Sequence, residues 1–115
     1  MWLATQHGFY SIIQKERDLY FIGACVRKDL ENLKELVGLD TEVLTRDTVD
    51  YCYRIIADTE TLMTILGTLS IAVDYSNFKG RISERADQSS KLGRYHRICE
   101  IMADLQHDED RGPIT

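Results

Sequence analysis

The spacing of apolar and polar residues changes along the chain, and each change marks an element. Residues 8–14 (GFYSIIQ) and 19–26 (LYFIGACV) alternate and are rich in aromatic and β-branched side chains, as half-buried strands are. The charged stretch KERD between them predicts a hairpin. Gly23, inside the second run, marks a bulge or a close backbone approach. The period then lengthens. In RKDLENLKELVG, Leu30, Leu33, Leu36 and Val37 fall on one helical face, Asp29 and Glu31 complement the helix N-terminus, and Gly38 supplies the stop.

The pattern then repeats. Residues 42–46 (EVLTR) form a short strand, 47–49 (DTV) a turn, and 50–57 (DYCYRIIA) a clear strand with Tyr51, Tyr53 and Ile55 on one face and Cys52, Arg54 and Ile56 on the other. Asp58 caps a second helix carrying Leu62, Ile65, Leu66, Leu69 and Val73. Met63, Ile71 and Ala72 widen that stripe, so this helix is expected to be buried more deeply than the first, with Gly67 allowing another backbone to approach. DYSNFKGRISERADQSS reads as a connection. Leu92, Tyr95, Ile98, Met102 and Leu105 then give a third helix with one apolar seam. The expectation is an α+β domain over residues 1–105 and a flexible tail over 106–115. Two hairpin-plus-helix units (ββαββα) would form a four-stranded antiparallel sheet with helices on one face, followed by a C-terminal helix.

Composition narrows the function classes. The chain has 115 residues, 43% of them apolar, which is enough for a core without disulfide or metal staples. A net charge of −5 argues against unspecific binding to nucleic acid or anionic membrane, though not against a local basic pocket. Cys25, Cys52 and Cys99 lie in apolar stretches without a CxxC spacing and read as reduced core thiols. No stretch has the length of a signal peptide's apolar region or a membrane span, so a cytoplasmic protein is expected.

Several segments together resemble one family. MWLATQHGFYSIIQK, VRKDLENL, DYCYRI, DYSNFK and YHRICEIM are similar to segments of a widespread, uncharacterised family of small bacterial proteins that open MW[LI]xTxxGFYS[IV] and carry RxDLExL, DYxYR and DYxNFK. The resemblance spans residues 1–105 and brings no reaction or assigned site with it. Cys52 stands where that family has an arginine, and Cys99 where it has a tryptophan. If the arginine binds an anion in the family, this chain would bind it more weakly.

Catalytic patterns are thin. His7, His96 and His107 lack a nucleophile context, no Walker-type loop or dinucleotide fingerprint occurs, and nothing in the spacing gathers Asp50, Asp74 and Asp87. Binding chemistry is richer. Arg27 and Lys28 at a strand-to-helix junction, Arg54 on a strand, and Tyr75, Asn77 and Lys79 in the DYSNFKGR loop supply cations, rings and an amide, with Tyr95 as a further ring. The expected function is therefore non-enzymatic binding of an anionic, nucleotide-like small molecule by a homo-oligomer, with no cofactor. Tyr10, Tyr20, Tyr51 and Tyr53 are expected to give the uncovered sheet face an aromatic surface suited to self-association. The alternatives are a protein-interaction module, antitoxin-like or regulatory, and a small nucleotide or RNA hydrolase centred on His96 or on carboxylates.

Overall fold

The structure, a computed structural model, describes residues 1–46 and 50–110. Its contacts divide the chain into two compact units, Met1–Ser76 and one that begins at Asn77. The first holds strands β1 (Trp2–Ala4), β2 (Phe9–Glu16), β3 (Leu19–Ala24), β4 (Leu44–Thr45) and β5 (Tyr53–Ala57), with helices α1 (Arg27–Val37) and α2 (Thr59–Ile71). The second holds α3 (Phe78–Glu84), a short 3-10 turn over Ser89–Lys91 and α4 (Leu92–Asp110).

The fold is α+β, as expected, but the sheet has five antiparallel strands in the order β1-β2-β3-β5-β4. The additional strand is β1, three residues that pair with β2 through Leu3 opposite Tyr10. Such a segment is too short for its alternation to show. The strand read at 42–46 contracts to Leu44–Thr45, and the turn read at 47–49 lies outside the described residues. The presumed connection after Asp74 contains α3, and α4 runs through Asp110 into the segment read as tail, whose last five residues lie outside the described ones.

Period-two alternation sends Tyr10, Ile12, Ile22, Ala24, Ile55 and Ala57 to one face of the sheet, where they meet Leu30 and Leu33 of α1 and Leu62, Ile65 and Leu69 of α2. Burying each large aliphatic side chain there contributes about 1.5–3 kcal/mol. Asp58 caps α2 by accepting the N–H of Thr61 at 2.8 Å, and Gly38 ends α1 in the left-handed region at φ 81°. α2 is not the more deeply buried helix. Met63 and Ile71 face outward, and nothing lies within 4 Å of the position a Cβ on Gly67 would occupy. No disulfide joins the cysteines, but they do not lie in the core: Cys25 and Cys99 are exposed and Cys52 is half-buried.

A polar cluster ties β2 to α1 beneath the sheet. Asp29 is almost fully buried; its Oδ2 accepts the N–H of Phe9 at 3.1 Å, and its carbonyl accepts the Tyr10 hydroxyl at 2.7 Å. Asn32 donates Nδ2 to the carbonyl of His7 at 2.8 Å, and the Thr5 hydroxyl oxygen accepts the N–H groups of His7 and Gly8. Gly8 is required, because a Cβ there would stand 2.5 Å from that of Asp29. Gln6 extends the clamp by donating to the Ala72 carbonyl at 2.7 Å, just beyond α2. TQHGFY and RKDLENL thus build a structural latch.

Candidate functional site

No element of the first unit covers the sheet face opposite α1 and α2. Register puts Trp2, Phe9, Ser11, Ile13, Phe21, Gly23, Arg54 and Ile56 there. The tyrosines expected on this face lie mainly elsewhere. Tyr10 is in the core, and Tyr20 and Tyr53 pack against that core from its edge. Only Tyr51 belongs to the uncovered side, so the aromatic surface comes from Trp2, which is 71% exposed, and from Phe9 and Phe21.

The centre of this face is concave. A cavity of about 280 Å³ is lined by Lys15, Phe21, Arg46, Asp50, Tyr51 and Arg54, over a floor that includes Ser11 and Gly23. Arg54 stands opposite Gly23 across the β3–β5 ladder. Glycine offers it no side chain there, so its guanidinium leans along the neighbouring strand onto the Phe21 ring, 4.7 Å from the centroid. The ammonium of Lys15 lies 5.5 Å from the same ring. A register irregularity between Gln14 and Glu16 brackets Lys15, and such irregularities re-aim side chains. Gly23 has a second role. A Cβ on it would lie 2.9 Å from that of Tyr51, so the glycine lets Tyr51 settle over the strand. The sequence predicts a bulge or a close backbone approach there; what approaches is a side chain.

Three cations, Lys15, Arg46 and Arg54, thus line one cavity with one carboxylate, Asp50. The Nε of Arg54 is buried and has no hydrogen-bond partner among the described residues. No ion pair among those residues neutralises Lys15, Arg46 or Arg54. Such an arrangement can accept an anion from two or three sides, while Tyr51 and Ile13 offer surface to a planar group. Its volume is at the small end of ligand cavities, which begin at roughly 300 Å³.

The residues singled out in the sequence are distributed more widely. Arg54 lines this cavity. Tyr75 lines another, of about 270 Å³, with Leu3, Gln6, His7, Leu66 and Leu69. Arg27 pairs with Glu31 at 3.2 Å along α1, and neither it nor Lys28 lines either cavity. Asn77, Lys79 and Tyr95 belong to the second unit. There Asn77 caps α3 by accepting the Gly80 N–H at 3.1 Å, Lys79 is half-buried, and the buried Tyr95 meets Phe78 edge to face at 5.1 Å. The DYSNFKGR segment is thus largely the start of a helix. Lys15, Phe21 and Arg46 were not singled out from the sequence. Alternation sets Phe21 opposite in facing to Tyr20, but only the sheet order brings it to Arg54.

The molecule is an α+β protein with a basic, aromatic concavity on the sheet face that no element of its first unit covers. No protein-family model, curated protein or solved structure matches the chain. Among the described residues no helix is long and apolar enough to cross a membrane, and no group of three or more His, Cys, Asp or Glu side chains could hold a metal ion.

Proposed function

We propose that the chain is a non-enzymatic, self-associating cytoplasmic protein that senses or sequesters an anionic, nucleotide-like small molecule on its bare sheet face. The observation that carries this reading is the Phe21 ring flanked by Arg54 at 4.7 Å and Lys15 at 5.5 Å, with the buried Arg54 Nε unpartnered. Phe21 holds the two cations in place, Arg46 adds a third, Tyr51 offers a face to a base, and Asp50 can accept from an exocyclic amine. The side chains around the cavity offer charge, rings and hydrogen bonds, which is the chemistry of capture.

The test is titration calorimetry with nucleoside mono- and triphosphates and with inorganic pyrophosphate, at low and physiological salt. Arg54→Ala and Lys15→Ala should each weaken binding at least tenfold while the proteins stay folded. Unchanged affinity in both would remove the site. Substitutions at Arg27, Lys28, Tyr75, Asn77, Lys79 and Tyr95 map whether the ligand reaches beyond the concavity. We also propose kinship with the small bacterial family that the sequence resembles. Its arginine at the position of Cys52 would stand two residues from Arg54, so Cys52→Arg is expected to tighten anion binding several-fold.

A second reading has its own support. Trp2, Ile13 and Ile56 are exposed large apolar residues on this same face, as in a surface that docks another protein. Stoichiometric co-purification of a second chain, lost in a Trp2→Ser, Ile13→Ser protein, would favour that reading over ligand capture.

A further inference from the structure

Helix α4 carries an apolar stripe with no partner among the described residues. Ile98, Ile101, Met102 and Leu105 recur at i, i+3, i+4 and i+7, the spacing of a helix face that packs against another helix, yet each is between 47% and 63% exposed. The seam read from the sequence is therefore buried at Tyr95 and bare from Ile98 onward.

The charges beside the stripe are unevenly distributed. Arg94 and Arg97 precede it, whereas Asp104 and Glu109 lie at or beyond its C-terminal end. At 100° per residue, Arg94 and Glu109 continue the line of the stripe, while Arg97 and Asp104 share one flank. A parallel, in-register pair of such helices would set Arg94 and Glu109, which lie on the line of the stripe, each against its own copy. An antiparallel pair with its two-fold axis between Ile101 and Met102 sets Ile98 against the partner's Leu105, Ile101 against the partner's Met102, and Arg94 against the partner's Glu109. Arg97 then falls beside the partner's Asp104. One symmetry axis matches the apolar layers and the charges together.

We infer that α4 is a dimerisation helix that pairs antiparallel with the α4 of a second copy of this chain. The inference specifies the self-association in the proposed function and is independent of any ligand. The contact is small, on the order of 1,000 Å² in total, so the dimer is expected to be reversible, with a dissociation constant in the micromolar range.

Sedimentation equilibrium of the full chain without added ligand tests it. The expected result is a monomer–dimer equilibrium in which Ile101→Asp weakens association at least tenfold with an unchanged circular dichroism spectrum, because Ile101 is not needed for the fold. Arg94→Glu should also weaken it, and Arg94→Glu combined with Glu109→Arg should restore it. Orientation is read in a chain whose Cys25, Cys52 and Cys99 are serine. Under mild oxidation Ile101→Cys should form a disulfide-linked dimer and Ile98→Cys should not. In the antiparallel pair the two copies of residue 98 are seven residues apart along the axis, about 10 Å, beyond the roughly 7 Å limit for a disulfide. A monomer at all concentrations, a dimer indifferent to Ile101→Asp, or an efficient link through Ile98→Cys would each overturn the inference. Loss of anion binding with dimerisation intact would count against the ligand reading alone.

Discussion

The two faces of the sheet in the first unit use polar residues in opposite ways. Beneath it, Asp29, Asn32, Thr5 and Tyr10 form a network in which each hydrogen bond joins β2 or the preceding turn to α1 or to the turn itself. On the face opposite the helices, Lys15 and Arg54 flank one ring and Arg46 lines the same cavity, and a buried guanidinium nitrogen is left without a hydrogen bond among the described residues. A satisfied buried network specifies a fold, whereas an unsatisfied one is a reserve of interaction free energy for something that arrives later. The comparison predicts that stability and affinity are carried by different residues.

The largest effects should come from the latch. Gly8→Ala would place a Cβ 2.5 Å from that of Asp29, and Asp29→Ala would leave the Phe9 N–H without its carboxylate acceptor. Each is expected to lower stability by about 3 kcal/mol, which for a domain of this size lowers Tm by roughly 10 °C or more. Chemical denaturation monitored by far-UV circular dichroism measures the change. A loss under 1 kcal/mol in both variants would mean that the latch does not hold β2 to α1.

Arg54 should behave in the opposite way. Arg54→Met keeps an unbranched stem on the Phe21 ring and removes the unpartnered Nε, so stability is expected to stay level or rise by about 0.5 kcal/mol. Affinity for a nucleoside triphosphate should fall at least tenfold in the same protein. A substitution that stabilises and disables together marks a residue kept for binding. If Arg54→Met instead unfolds the chain, the arginine belongs to the scaffold and the contrast between the faces fails.

Gly23→Ala probes the boundary between the two regimes, because Gly23 is a strand residue whose bareness admits Tyr51. An added methyl 2.9 Å from the Tyr51 Cβ has to move that side chain, at a stability cost of about 1 kcal/mol. Affinity for ligands with a base should fall several-fold, while affinity for pyrophosphate should change little. Equal losses for both ligands would assign Tyr51 a role in holding the cations instead of stacking.

The same contrast explains what was legible in the sequence. α1 and α2 were readable because one covered face imposes a single period on Leu30, Leu33, Leu62, Ile65 and Leu69, and because Asp58 and Gly38 mark helix ends chemically. β1 is hidden by its three-residue length, and α3 by FKGRISE, seven residues with a glycine in the first turn; only Asn77 announces it. The site was less legible still. Arg54 could be singled out as a strand cation, but Lys15, Phe21 and Arg46 come from separate segments whose meeting depends on strand order and register. The tyrosines are conspicuous in the sequence, yet Tyr10, Tyr20 and Tyr53 serve the core. Local patterns report which residues are alike in environment, whereas a binding face is made by neighbours distant in sequence.

The smallest predicted effect sharpens the comparison by setting a second carboxylate beside Asp29. Asp58 also accepts a backbone N–H, but it does so in full contact with solvent at the start of α2. Hydrogen bonds from the Thr61 hydroxyl and then the Thr61 N–H hold its pKa below the usual carboxylate value. A depressed folded-state pKa means that the native chain favours the ionised form more than the unfolded chain does. Its contribution is therefore complete above the ordinary carboxylate pKa and is lost as pH falls through the lower, native one. Asp58→Asn retains a side-chain acceptor that caps nearly as well and cannot titrate. Wild type and Asp58→Asn should differ slightly in unfolding midpoint at neutral pH, and that difference should change only below about pH 4, where the unfolded carboxylate begins to protonate. Because Asp58 is exposed and Asp29 is buried under its hydrogen bonds, Asp58→Asn should leave the neutral-pH fold intact, whereas Asp29→Ala should not. Parallel acid limbs for wild type and Asp58→Asn would assign the acid sensitivity of the fold to other carboxylates.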